Sequence, residues 1–127
     1  DTLWEHFTDD IGTINHGWTA APMYILSKYV AGIAPTEAGF AKYEIAPADV
    51  LDSVECTVYT PKGNISVSLN KTEGKTVITV KAIDSEGIVR LPQSMGTQIT
   101  VTGGAYELLE DGSIKLTEAA EYTITAE

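Results

Sequence analysis

An alternation of apolar and polar residues runs from Leu51 to the C-terminus and constrains the fold more than any other feature. Apolar residues stand at every second position over 54–59 and 65–70, on either side of a Pro-Lys-Gly-Asn turn. Further strand-like segments follow at 76–82, 88–91, 97–102, 106–109, 113–116 and 122–126. About eight short strands separated by turn signals predict a mainly β fold, an antiparallel, jelly-roll-like β-sandwich. The Asp111-Gly112 pair is its best hairpin signal.

One amphipathic helix is predicted before the strands. Apolar residues recur there at intervals of three and four, which places them on one helical face. They are Trp18, Pro22, Ile25, Leu26, Tyr29 and Val30. Thr19 is the expected N-cap, and Gly32 the expected C-terminal stop. A short helix is marginal alone in water, so its stripe packs either on the β-domain or, as we favour, on partners outside this chain.

The stretch from Ile33 to Pro47 is predicted as a linker. Prolines and the Gly39-Phe40 pair punctuate it, and its spaced apolar residues indicate that it lies against a neighbouring surface. A simple connector is the alternative. The expected organisation is therefore a helical part over 1–34, a linker over 35–50 and the sandwich over 51–127. Because the chain opens on Asp-Thr-Leu-Trp without an initiator Met, we expect a piece of a longer protein.

Composition and charge exclude several classes of function. Apolar residues make up 43% and charged residues 20% of the 127 positions, which is ordinary for one soluble globular domain. The formal net charge of -10 and the lack of clustered cations argue against nucleic-acid binding. No apolar run is long enough to span a bilayer, so no membrane partner is predicted. A neutral ligand such as a sugar is compatible with this charge.

The cysteine and histidine content predicts no metal site and no cofactor. One cysteine and two histidines give no spacing typical of zinc ligands. Cys56 cannot form an intrachain disulfide and is interpreted as a small thiol packed in a strand. Two sequons, at Asn64 and Asn70, matter only in a host that glycosylates.

Chemistry is predicted near the N-terminus, where a carboxylate, a histidine and two tryptophans lie close in sequence. Glu5 follows Trp4, and an aromatic neighbour that desolvates a carboxylate raises its pKa and suits acid or base work. A solvated surface group is the alternative. His16 would hydrogen-bond a ligand hydroxyl or cap the helix. Trp4 and Trp18 would stack on a sugar ring or belong to the core.

Other polar and aromatic residues are weaker candidates. Asp9 and Asp10 are interpreted as solvated loop residues. Tyr59, Tyr106 and Tyr122 would form a sugar-binding platform on the sandwich, although a tyrosine on a strand usually packs against its neighbours.

Three segments, taken in order, carry a resemblance to a known family. They are Thr2-Leu3-Trp4-Glu5, Ile14-Asn15-His16-Gly17-Trp18 and Tyr29-Val30-Ala31-Gly32-Ile33-Ala34-Pro35, followed by Gly39-Phe40. Their order and spacing resemble the end of the α-L-rhamnosidases of glycoside hydrolase family 78. In that family such segments close an (α/α)6 barrel before a C-terminal β-sandwich. Gly17 follows His16 directly, whereas the family's glycine comes a few residues later.

The resemblance implies roles for three residues. Glu5 is similar to the general base of an inverting glycosidase, His16 to a rhamnose-contacting histidine, and Trp4 would flank the same pocket. It also implies an upstream (α/α)6 barrel and rhamnose-containing glycosides as partners, with the helix left over from that barrel and the sandwich supporting it. Because the general acid would lie upstream, the isolated chain is expected to be inactive.

Two alternatives belong to other classes. A carbohydrate-binding module would expose Tyr59 or Tyr106 beside other aromatics. A purely structural sandwich would pack the opening helix on its own sheet and would leave Glu5 without a role.

Overall fold

The computed structural model describes residues 17–127, which form a helical segment, a short 3-10 turn and ten strands. The helical segment begins as a 3-10 turn at Gly17–Ala20, continues as helix α1 (Ala21–Ile25) and widens into a π-helical turn at Leu26–Val30. We refer to residues 17–30 together as the helical segment. The helix predicted before the strands is therefore present.

The start of the helix differs in detail from the prediction. Pro22 stands in the first turn of α1, as predicted, because its missing N–H has no partner to lose there. The N-cap of α1 is Ala20, which makes no side-chain cap hydrogen bond. The prediction of Thr19 as N-cap is therefore wrong: the 3-10 turn carries helical backbone past that position.

The strands build two five-stranded sheets. They are β1 (Ile33–Pro35), β2 (Lys42–Ile45), β3 (Ser53–Thr60), β4 (Gly63–Thr72), β5 (Lys75–Lys81), β6 (Glu86–Val89), β7 (Ile99–Thr102), β8 (Tyr106–Leu108), β9 (Ile114–Leu116) and β10 (Glu121–Ala126). Sheet I has the order β1-β2-β6-β9-β8 and sheet II the order β3-β4-β5-β10-β7. Only β2 and β6 pair in parallel within the described range. The predicted mainly β sandwich is confirmed, and each of its eight expected strands is found.

The core lies between the two sheets. Sheet I contributes inward residues that are almost fully buried: Tyr43, Ile45, Val89, Ile114 and Leu116. Sheet II contributes Ile65, Val67, Leu69, Ile78, Val80, Tyr122 and Ile124. On β4, β5 and β10 the buried positions alternate with less buried ones, which is the period-2 pattern of the sequence.

Strands β1 and β2 arise in the stretch that the sequence predicted as a linker. Ile33 pairs with Ile45 in an antiparallel register, and Tyr43 and Ile45 point into the core. We expected this stretch to lie against a neighbouring surface. It does so by adding two strands to sheet I, where β2 pairs with β6. The domain boundaries at residues 34 and 50 stay predictions.

Candidate functional site

The three residues predicted to carry chemistry, Trp4, Glu5 and His16, lie outside the described residues. The described chain begins at Gly17, directly after His16. The described residues nearest to these three in the sequence are those of the helical segment.

The helical segment exposes most of its apolar side chains. Met23 is 69% exposed, Leu26 54% and Tyr29 57%, and none of the residues of α1 is buried. The sandwich thus leaves Ile25, Leu26 and Tyr29 of the predicted apolar stripe exposed and covers Val30 only in part. Contiguous exposed apolar side chains of this kind mark a surface that another molecule or domain covers.

An apolar groove separates the helical segment from strand β3. One wall is formed by Met23, Tyr24, Leu26, Ser27 and Val30, and the other by Leu51, Val54, Glu55, Cys56, Thr57 and Val58. We call this concave surface, with a volume of about 600 Å³, the β3 groove. Val54, Cys56 and Val58 also contact the edge of the sandwich core, and burial raises the pKa of the Cys56 thiol. The groove is therefore a continuation of the core to the surface.

A lysine lies between two tyrosines on the exposed side of the helical segment. The Lys28 Nζ donates a 2.7 Å hydrogen bond to the Tyr24 hydroxyl and stands 5.1 Å from the Tyr29 ring centre. The two rings meet edge to face with centres 6.0 Å apart. The hydrogen bond from Lys28 lowers the pKa of Tyr24. Lys28 is four residues after Tyr24, one turn along the helical segment, and it directly precedes Tyr29. Through these contacts it orients both rings on the surface.

The end of the helical segment is fixed to the sandwich through its backbone. The Ala48 N–H donates to the Val30 carbonyl at 2.9 Å, and the Ala46 N–H donates to the Gly32 carbonyl at 3.0 Å. The first bond satisfies one of the carbonyls that a helix end leaves without an internal partner. Gly32 has φ +78° and lies so close to Ala46 that a Cβ would overlap its backbone. The predicted helix stop at Gly32 is confirmed, and it sets the direction of the helix.

Asp49 anchors the residues that hold this helix end. Its carboxylate accepts hydrogen bonds from Lys71 Nζ on β4 and from the Ser94 hydroxyl, and a 2.8 Å bond from the Ser94 N–H. These donors, with Lys71 first, lower the pKa of Asp49 to about 2. The segment around Ala48 is thus tied to the helical segment on one side and to sheet II on the other.

A second concave surface lies between the segment that follows β6 and the turn between β8 and β9, and its charges are paired. Arg90 donates to Glu44 at 2.6 Å and to Asp111 at 2.9 Å, and Ser113 is the main cause of the lowered pKa of Asp111, at about 2. The cleft, about 470 Å³, also includes Met95 on its apolar side. Arg90 and Asp111 are about half exposed, so these pairs contribute little to stability, and Arg90 is already engaged by two carboxylates.

The tyrosines proposed as a sugar platform do not come together. Tyr122 is fully buried, and its hydroxyl is hydrogen-bonded to the carbonyls of Ala105 and Glu118. Tyr59 is 81% exposed on β3 of sheet II, whereas Tyr106 lies on β8 of sheet I. Among residues whose side chains are described, the one pair of aromatic rings in contact is Tyr24 with Tyr29. The tyrosines of the strands therefore offer no aromatic face.

Two other kinds of site are absent from residues 17–127. No group of three or more His, Cys, Asp or Glu side chains in that range is placed to hold a metal ion. None of its helices has the length and apolar character needed to cross a membrane.

Comparison with known proteins decides the family. The model of the bacterial α-L-rhamnosidase C-terminal domain matches residues 32–106, more than half of the chain. The chain belongs to this family. The match begins at Gly32, just after the helical segment. Its first residues therefore lead into β1, the first strand of the sandwich. No protein with a curated functional description matches the chain.

Two solved structures share the fold of this C-terminal domain. One is the α-L-rhamnosidase of Streptomyces avermitilis, solved with L-rhamnose; it is 21% identical, with a TM-score of 0.73 over 94% of this chain. The other is the α-L-rhamnosidase of Dictyoglumus thermophilum, 22% identical, with a TM-score of 0.74 over 98% of this chain. The chain spans 12% and 16% of the lengths of these two enzymes.

Sequence reasoning missed the residues that join the helical segment to the C-terminal domain. Asp49, Lys71 and Ser94 stand far apart in the sequence, and each is an ordinary surface residue type. The β3 groove was likewise not predicted, because strand order decides which strand lies at the edge beside the helix. Among these residues, only Gly32 gave a signal in the sequence. It predicted where the helix ends, but it did not predict the contact with Ala46.

The Asp49 anchor predicts a loss of stability in acid. Its pKa is about 2 in the folded chain against an ordinary 3.8, so the carboxylate favours folding above about pH 4. That contribution is lost as the pH falls from about 4 to 2, because the unfolded chain takes up the proton first. Asp49→Asn should lower stability at pH 6 and flatten the decline below pH 4, measured by urea unfolding midpoints.

A charge control accompanies this measurement. Asp84 is exposed and makes no ion pair with any residue of 17–127, so Asp84→Asn should keep the acid decline of the unsubstituted chain. The pKa of Asp111 is also lowered, so protonation of this residue should still cause part of the loss of stability in acid in both variants. Equal acid sensitivity of the Asp49→Asn and Asp84→Asn variants would mean that the Asp49 hydrogen bonds do not stabilise the fold.

Proposed function

We propose that the chain is the C-terminal part of an α-L-rhamnosidase that removes terminal α-L-rhamnose with inversion. The observation that carries the proposal is the match of residues 32–106 to the C-terminal domain of bacterial α-L-rhamnosidases. The small share of the solved rhamnosidases that the chain spans supports an enzyme with a large catalytic part elsewhere. We call that full-length enzyme the parent.

The division of labour follows the proposed organisation. Residues 1–34 would complete the catalytic (α/α)6 barrel, and residues 51–127 would form most of the supporting sandwich. Residues 35–50 would connect the two, and they also carry β2 of sheet I and the Asp49 anchor. The fixed angle between helix and sandwich supports a buttressing role, because motion of either one is resisted by the hydrogen bonds at Ala46 and Ala48.

The resemblance assigns the chemistry of this proposal. Inversion requires one carboxylic acid to protonate the leaving oxygen and one carboxylate to activate a water on the opposite face of the sugar. Glu5 would be that carboxylate, and the acid would come from the upstream barrel. His16 would donate or accept a hydrogen bond at a rhamnose hydroxyl, and Trp4 would line the pocket. The barrel would exclude bulk water. It would also hold the Glu5 carboxylate about 6.5–9.5 Å from the carboxyl group of the acid, which leaves room for the attacking water.

The proposed activity is tested with the parent and with the chain alone. The parent should hydrolyse an aryl α-L-rhamnoside and release rhamnose of inverted anomeric configuration, which proton NMR detects in the first minutes. An aryl β-glucoside is the control substrate. The chain of residues 1–127 should give no turnover, because the acid and most of the pocket are missing. A parent that ignores rhamnosides, or an active isolated chain, would contradict the proposal.

A further inference from the structure

The cleft beside Arg90 places a few polar groups next to apolar side chains. We call it the Arg90 cleft. Its polar lining includes Arg90, Asp111 and Ser113, and its apolar lining consists of Leu91, Met95 and Ile99. Its volume of about 470 Å³ is large enough for a small ligand. Apolar walls with a few convergent polar groups are the usual composition of a small-molecule site.

Both charged groups of the Arg90 cleft are held in place without a ligand. Arg90 donates hydrogen bonds from Nε to Glu44 at 2.6 Å and from Nη1 to one oxygen of Asp111 at 2.9 Å. The other oxygen of Asp111 accepts hydrogen bonds from the N–H and the hydroxyl of Ser113, which is buried. Groups that already stand in a fixed geometry lose little freedom when a ligand binds to them.

Arg90 keeps hydrogen-bonding capacity for a ligand. A guanidinium has five N–H donors, and within residues 17–127 Arg90 uses two of them on carboxylates. Its side chain is 50% exposed, so the remaining donors are accessible from the cleft. Asp111, whose side chain is 54% exposed, offers acceptors beside these donors. Two neighbouring hydroxyls, each of which both donates and accepts, match such a pair of donor and acceptor.

The charge balance of the cleft favours a neutral ligand over an anion. The Arg90 guanidinium is paired with two carboxylates, so the cleft has no unbalanced positive charge. The formal net charge of -10 further disfavours an anion. Ile99, which is 37% exposed, adds an apolar contact surface. A sugar ring meets both conditions, because it is neutral and carries hydroxyls on a C–H framework.

We propose that the Arg90 cleft binds one neutral sugar residue, whose hydroxyls bond to Arg90 and Asp111 and whose C–H face packs on Met95 and Ile99. The choice of L-rhamnose as that sugar rests on the proposed function, since the parent would act on rhamnose-containing glycosides. The C-terminal domain would then hold a sugar without using Trp4, Glu5 or His16. No aromatic ring belongs to the described lining of the cleft, so we expect a Kd of roughly 1–10 mM.

Nuclear magnetic resonance of the isotope-labelled chain of residues 1–127 tests the proposal with L-rhamnose as the probe. The amide signals of Gly96 and Gly112, which line the cleft, should shift and should saturate with the expected Kd. In the parent, saturating L-rhamnose should slow hydrogen exchange in the peptide that contains Gly112. Sodium phosphate is the anionic control, and it should leave the two amide signals in place.

Variants of the cleft separate a sugar site from an ion pair that only joins two loops. Arg90→Ala should weaken binding at least about tenfold. Ile99→Ala, which removes no charge, should weaken it about threefold or more. Lys42→Ala is the matched control and should leave binding unchanged. Lys42 is also a half-exposed cation of sheet I paired with two carboxylates, Glu37 and Glu86, and it does not line the cleft.

Each other outcome has a definite meaning. Unshifted Gly96 and Gly112 signals overturn the proposal, and so does a loss of binding in Lys42→Ala as large as in Arg90→Ala. Shifts caused by phosphate and not by L-rhamnose would make the ligand an anion, which also overturns it. Because binding is measured without turnover, the two proposals fail separately. A parent that hydrolyses rhamnosides while these signals stay in place refutes only the sugar site. A parent that ignores rhamnosides while they shift refutes only the proposed activity.

Discussion

Replacing Glu5 by glutamine in the parent should lower kcat on an aryl α-L-rhamnoside by about 10²–10⁴-fold, the range that a general base contributes. Glutamine keeps the shape of the side chain but cannot accept the proton of the attacking water. The KM should change little, because a base acts on the water rather than on the sugar. Steady-state kinetics at the pH optimum separates the two parameters.

Chemical rescue sharpens this test. Azide is a small anionic nucleophile that needs no general base, so it should restore part of the turnover of the Glu5→Gln parent and yield a rhamnosyl azide of inverted configuration. Asp10→Asn removes one carboxylate from the same segment without touching the proposed base, and it should keep kcat within a few-fold of the unsubstituted parent. Near-normal turnover of the Glu5→Gln parent would show that the resemblance at Trp4-Glu5 does not carry the role of base.

The sequence predicted the fold wherever local pattern and burial agree. Tyr122, Ile124 and Ala126 share one phase of the alternation, and all three are buried in β10. The Asp111-Gly112 pair forms the turn between β8 and β9, with Gly112 at φ +81°. Such features depend on the period of a strand and on the conformations a glycine allows, both of which are local.

The sequence failed where strands are short or where neighbours decide burial. Lys42–Ile45 alternates in the manner of a strand, but it is four residues long and lies among glycine and proline signals, so the linker interpretation prevailed. On β3 the alternation correctly marks Val54 and Val58 as inward-facing. It cannot show that β3 is an edge strand, and this is why those residues remain half-buried beside the helical segment.

Gly32→Ala should destabilise the chain by about 2–5 kcal/mol, the sum of two costs. An alanine at φ +78° carries the cost of a left-handed backbone, about 1–2 kcal/mol. Its Cβ would also overlap the backbone of Ala46, and relieving such overpacking by a backbone shift costs about 1–3 kcal/mol more. The shift would strain the hydrogen bond from the Ala46 N–H to the Gly32 carbonyl. Urea unfolding of the chain of residues 1–127 measures the loss.

Gly74→Ala separates the two parts of this cost. Gly74 has φ +75°, nearly the same as Gly32, and a Cβ there would meet no atom within 4 Å. It should therefore show the backbone cost alone, about 1–2 kcal/mol. Because Gly32 sets the direction of the helical segment, Gly32→Ala should also lower kcat in the parent, whereas Gly74→Ala, in the turn between β4 and β5, should not. Equal losses of stability in the two variants would mean that the contact with Ala46 relaxes freely, and the angle between helix and sandwich would then not be fixed at Gly32.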